Sequence, residues 1–63
     1  MATQDKPTII KTSETRYSDN GQTFWRVHWS SGAITESPRL GAHMQALFAR
    51  ACSENAPHEV HKV

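Results

Sequence analysis

Cysteine is almost missing from this chain: Cys52 stands alone among 63 residues. No internal disulfide can form, and the disulfide framework that staples many small secreted domains is excluded. A reducing compartment is the expectation, and with it a cytoplasmic location. Long apolar runs are missing too. Nothing approaches the ~20 residues of a membrane span, and the opening MATQDKPT lacks the hydrophobic stretch of a signal peptide. A dominant charge sign is also absent. Seven Lys+Arg stand against six Asp+Glu, a formal net charge of +1, whereas binding through phosphate neutralisation favours a strongly basic chain. There is no Gly-x-Ser-x-Gly, no phosphate loop and no paired-carboxylate pattern. The expectation is therefore a non-enzyme that needs no cofactor and no metal.

Length sets further bounds. A chain this short is one domain. It buries only ~60% of its unfolded surface, so its core is thin and cannot wall off a deep cleft. Residues 1–7 are polar and end in proline, which reads as a loose tail. Residues 8–57 form the domain, and residues 58–63 (HEVHKV) are either a short fourth strand or a frayed tail.

What is present is concentrated between Gln22 and Ala51, where most of the large apolar side chains lie. Residues 8–17 are rich in β-branched residues and predict a strand. Asp19-Asn20-Gly21 predicts a three-residue hairpin loop with glycine in the left-handed region. That loop would set Tyr17 opposite Thr23, Thr15 opposite Trp25 and Ser13 opposite Val27. On the other face it would set Arg16 opposite Phe24 and Glu14 opposite Arg26. Residues 23–29 alternate, with Trp25, Val27 and Trp29 on the expected core face and Phe24, Arg26 and His28 on the other. Ser31-Gly32 turns the chain, and residues 33–36 return as a short strand.

Ser37-Pro38 then reads as a helix start, serine as N-cap and proline at the first helical position. Leu40, Met44, Leu47, Phe48 and Ala51 make one apolar helical stripe ending near Ser53, with Asn55 as a left-handed cap and Pro57 as a stop. The expected fold class is α+β: a three-stranded antiparallel meander with one helix packed across one face, the alternatives for residues 58–63 adding a fourth strand or not.

Four features carry functional readings. Arg39, His43 and Arg50 fall along one helical ridge with Ala46, in a segment (residues 38–53) that holds no acid. Such a ridge suits phosphates or an acidic protein face; its bland alternative is a solvated face of good helix formers. Phe24, Arg26 and His28 put an aromatic among basic groups on a strand, as base-stacking sheets do, with shielding of Phe24 by neighbours as the alternative. Cys52, His58 and His61 offer three metal donors. A structural zinc site wants four, with at least two cysteines, so an ordinary thiol and two histidines is the expectation. Glu14, Glu36, the histidines and the serines form no catalytic pattern.

Phe24-Trp25, Ser30-Ser31, Ala46-Leu47 and Glu59-Val60 occur in an order that resembles the small T7-type phage inhibitors of host RNA polymerase, loosely over residues 18–63. Leu40 and Ser37-Pro38 have no counterpart there. The resemblance implies a small sheet with one helix and a closing strand, a host protein as partner, and a basic contact at Lys62. The meander followed by a helix also resembles the arm-type DNA-binding domains of tyrosine recombinases, whose sheet enters the major groove, although those sheets are more basic. The expected function is a non-enzymatic module that binds a host protein, as an inhibitor or adaptor of phage or mobile-element origin. The second reading is a DNA- or RNA-binding regulator using the sheet or the Arg39/Arg50 face.

Overall fold

The computed structural model describes residues 6–63, so most of the expected N-terminal tail lies outside the described residues. The elements are β1 (Ile9–Arg16), β2 (Thr23–Trp29), β3 (Ile34–Ser37), α1 (Ala42–Ser53) and β4 (His58–Lys62). They form one four-stranded sheet in the order β3-β2-β1-β4. The α+β class and the antiparallel meander are as expected. Residues 58–63 resolve in favour of the strand, and β4 runs parallel to β1. A parallel partner cannot be reached by a hairpin, and here the crossover is α1, carried from the β3 edge over the sheet to the opposite edge.

The first hairpin differs from expectation by one residue. Tyr17 N–H donates to the Gln22 carbonyl and Gly21 N–H to the Tyr17 carbonyl, which closes a four-residue loop over residues 18–21. Gly21 takes φ 69°, the left-handed value the turn requires. The longer loop pairs Thr15 with Phe24, Glu14 with Trp25, Ser13 with Arg26 and Thr12 with Val27. The expected pairs of Arg16 with Phe24 and Glu14 with Arg26 do not form, and every side chain from Lys11 to Arg16 lies on the face opposite to the one expected. The expected register, carried down the ladder, would have set Lys11 opposite Trp29 under the helix. The observed one places Lys11 on the far face, where it reaches Glu59 at 3.3 Å. A bulge at Ile10 then shifts parity again, so Ile9 is buried in the core while Ile10 is exposed.

The helix also starts later than expected. Ser37 belongs to β3, opposite Trp25. Its Oγ accepts from the Arg39 N–H (3.1 Å) and donates to the Arg39 carbonyl (2.8 Å), a local turn rather than a helix cap. Pro38, Arg39 and Leu40 are connector, Gly41 is the N-cap without any side-chain cap bond, and α1 has no acid in its first turn. The other end follows the sequence closely. Asn55 adopts φ 57°, Asn55 N–H donates to the Cys52 carbonyl, and Ala56 N–H to that of Ala51. These two bonds are the Schellman closure, and Pro57 follows where the helix cannot continue.

The core is small: Val27, Ala51, Met44 and Ile9 are buried, with Trp25, Trp29, Leu47, Phe48 and Ala56 packed around them. Met44, Leu47, Phe48 and Ala51 supply the helical side at i, i+3, i+4 and i+7. Leu40, ahead of the helix, is 39% exposed and drops out of the stripe.

Candidate functional site

The helix covers one face of the sheet only. The opposite face, which we call the open face, has no layer above it among the described residues. Strand alternation and the register place Lys11, Ser13 and Thr15 of β1 there, with Phe24, Arg26 and His28 of β2, Ile34 and Glu36 of β3, and Glu59 and His61 of β4. Tyr17, just past β1, packs its ring against Phe24 at 5.7 Å in an edge-to-face arrangement.

The polar groups on this face satisfy one another. Arg26 pairs with Glu36 and donates through Nη1 to Thr15 Oγ1 at 2.6 Å. His28 Nε2 lies 3.0 Å from Ser13 Oγ. Burial, reinforced by the nearby Lys11 charge, lowers the His28 pKa below its usual 6.5 despite the opposing pull of Glu59. Glu59 bridges Lys11 and His61, each at 3.3 Å. The bond from Lys11, then that from His61, holds its carboxyl below the usual range. Phe24, Arg26 and His28 therefore share one surface as expected. The sequence reading missed Tyr17, Ile34, Glu36 and Glu59 beside them, because β3 and β4 had no readable register and β1 was read with inverted parity.

The expected helical ridge does not exist as a unit. Arg39 lies in the connector, off the helix. Among its three members only His43 and Arg50 are on α1. Arg50 is already engaged: it pairs with Glu54 at 3.0 Å, and its guanidinium lies 5.4 Å over the Trp29 ring. It also donates to the Pro7 carbonyl at 3.4 Å. Lys6, Pro7, Trp29, Ser31, Ala33 and Arg50 border a shallow open depression of about 440 Å³. Lys62 is exposed on β4, in register with Arg16 on the helix side of the sheet.

A chain of polar groups on the helix side had no local sequence signal. Thr12 Oγ1 lies 2.7 Å from His58 Nδ1, His58 Nε2 lies 3.0 Å from Glu14 Oε1, and Arg16 holds Glu14 Oε2 at 2.9 Å. A carboxylate only accepts, so a proton sits on His58 Nε2; in the neutral ring Nδ1 then accepts from the Thr12 hydroxyl. Burial acts to raise the Glu14 pKa, but the bonds from Arg16 and His58 outweigh it and the net shift is downward. The order hydroxyl, imidazole, carboxylate has the look of a nucleophilic relay, yet Thr12 is 3% exposed. The chain ties β4 to β1. Phe48 packs edge-on to the His58 ring at 5.7 Å and locks it further.

His58 and His61 point to opposite sides of the sheet. Among the described residues no group of three or more His, Cys, Asp or Glu is placed to hold a metal ion. Cys52 is a free, exposed thiol. No helix of the described residues is long and apolar enough to cross a membrane.

The architecture defines a small α+β domain with a mixed sheet and one uncovered face. No protein-family model, no curated protein and no solved structure matches the chain.

Proposed function

We propose that this protein is a non-enzymatic binding module that docks a protein partner on the open face of its sheet. The observation that carries the reading is the neutrality of that face. Each of its Lys and Arg side chains already lies against a carboxylate of the same fold, leaving Tyr17, Phe24 and Ile34 as its unpolarised content. Apolar contact points at the two ends of a polar, internally satisfied surface, Tyr17 and Phe24 at one and Ile34 at the other, suit a protein partner. A phosphate backbone asks for uncommitted cations. The buried Thr12 hydroxyl and the shallow depressions support a role without catalysis. In this proposal the partner is a host protein bound stoichiometrically in the cytoplasm, as the resemblance to the phage inhibitors implies, with Lys62 on the closing strand β4 as a peripheral contact. The second reading, binding to DNA or RNA, rests on Arg39 and Lys62, which form no ion pair among the described residues.

The test compares the parent with the double variant Phe24→Ala, Ile34→Ser. Immobilised parent should enrich one host protein in stoichiometric amount, and the double variant should lose it while keeping its circular dichroism spectrum. Titration of the parent with random duplex and single-stranded DNA should show no tight, salt-sensitive binding. Micromolar DNA binding that weakens steeply with salt and disappears in Arg39→Ala, Lys62→Ala would replace this reading with the second one.

A further inference from the structure

A second surface, distinct from the open face, lies along the outer edge of β4. All five residues of this strand, His58–Lys62, are exposed, and among the described residues β1 is its one neighbour in the sheet. The carbonyl of Pro57 accepts from Thr12 N–H, Val63 N–H donates to Arg16, and the Val63 carbonyl accepts from Ser18. With the strand period of two, the backbones of Glu59 and His61 also turn toward β1. The N–H and C=O groups of His58, Val60 and Lys62 therefore point outward along the edge, without partners among the described residues. Native edges of this kind are shielded by proline, a bulge or a cover, or they pair with another strand. Within β4 there is no proline and no bulge, and Lys62 stands at its end rather than its middle.

We propose that the β4 edge pairs with the β4 edge of a second copy of this chain, antiparallel and centred on Val60. Register selects this pairing. Opposed residues in an antiparallel pair lie on the same face, so a symmetric pairing must centre on a single residue. Centring on Glu59 sets carboxylate against carboxylate. Centring on His61 sets Val60 against Lys62 and imidazole against imidazole. Centring on Val60 sets Val60 against Val60 on the helix side and Glu59 against His61 twice on the open side. It is also the register in which all three outward-facing residues pair, because His58 then opposes Lys62. The opposite edge of the sheet offers no equivalent. In β3 a pairing centred on Glu36 opposes like charges, one centred on Thr35 sets Ile34 against Glu36, and Pro38 follows directly.

The two-fold axis of this pair is perpendicular to the sheet. Both helices stand on one side, and the two open faces join on the other into a single eight-stranded surface.

Sedimentation equilibrium of the full chain, from micromolar to millimolar concentration, tests the proposal. The expected result is a mass that rises from one chain to two. Val60→Pro removes the central outward N–H, a substitution that an edge strand tolerates because that group serves no ladder bond. It should keep the parent's far-ultraviolet spectrum and remain monomeric throughout. His61→Glu opposes Glu59 with a carboxylate and should weaken association at least tenfold, while adding Glu59→His to it restores opposite pairing and should recover most of the loss. This charge swap keeps the test decisive should Val60→Pro fail to fold. A chain that stays monomeric at millimolar concentration overturns the proposal. A dimer that neither Val60→Pro nor the swap disturbs overturns it equally, by placing the interface elsewhere.

Discussion

The two faces of this sheet are held together by different physics. Under the helix, Val27, Met44, Ala51 and Ile9 exclude water, and the force is the loss of apolar surface. On the open face Ser13 is equally buried, but beneath other polar groups, and the ordering force is reciprocal hydrogen bonding among Ser13 and His28, Thr15 and Arg26, Arg26 and Glu36. A chain of this length has apolar side chains for one core and no more. It finishes the second face with polar pairs that are stable in water and need no further layer. The difference explains why the open face stays exposed without inviting collapse, and why its few aromatic and aliphatic side chains stand out as contact points.

The contrast can be broken first on the covered side. Met44→Ala deletes a buried side chain from a core with few others to relax into the gap, and should remove about 2–5 kcal/mol, which takes most of the stability of so small a domain. Urea denaturation followed by tryptophan fluorescence reads the loss, and a midpoint close to the parent's would mean the helix is not what seals this face. Leu47→Ala, at a half-buried position, should fall below Met44→Ala in the same assay.

On the open side the corresponding truncation, Phe24→Ala, removes an edge-to-face pair with Tyr17 and should lower stability by about 0.5–1.5 kcal/mol. A loss as large as that of Met44→Ala would show that the two faces are not held differently after all.

The third and smallest effect is in acid. The folded state favours neutral His28, since its pKa lies below the 6.5 of the free side chain. That contribution is complete above 6.5 and is lost as pH falls through the lower folded value. The Glu14 carboxylate, also lowered, adds a contribution that is complete above 4.5 and is lost at still lower pH. Stability should thus decline in two stages on acidification. His28→Gln should flatten the first stage and leave the second; melting temperatures measured at intervals from neutral to acid pH would show a profile indistinguishable from the parent's if the open face contributed nothing.

The parts of the fold that were legible are those written in local periodicity or in a single residue's backbone preference. The helical stripe from Met44 to Ala51, the cap at Asn55, the stop at Pro57 and the alternation of β2 all belong to this class. The hairpin register was not, because the choice between a three- and a four-residue loop is decided by where Lys11 ends up, not by Asp19-Asn20-Gly21 itself. The helix start was misplaced because Ser37 has two uses for its hydroxyl, and the turn at Arg39 claims it. That error carried into the site: with Arg39 off the helix and Arg50 bound to Glu54 and Trp29, the basic ridge dissolves. The Thr12, His58 and Glu14 chain was illegible for a different reason, since Thr12 and His58 are 46 residues apart and a parallel pairing leaves no mark in either segment.

That distance has a kinetic side. The two sheet neighbours of β1 are unequally distant along the chain, one just across a tight loop and the other the last described strand. During synthesis β1 and β2 can zip together as soon as both have left the ribosome, but the other side of β1 stays unpaired until β4 emerges. Closing so long a loop adds little to the free energy of the finished fold, since closure entropy grows only with the logarithm of length. It does delay folding, because contacts between distant residues must wait for the chain to bring them together. β1 thus precedes both of its neighbours in the chain and is enclosed only when the later of them, β4, arrives.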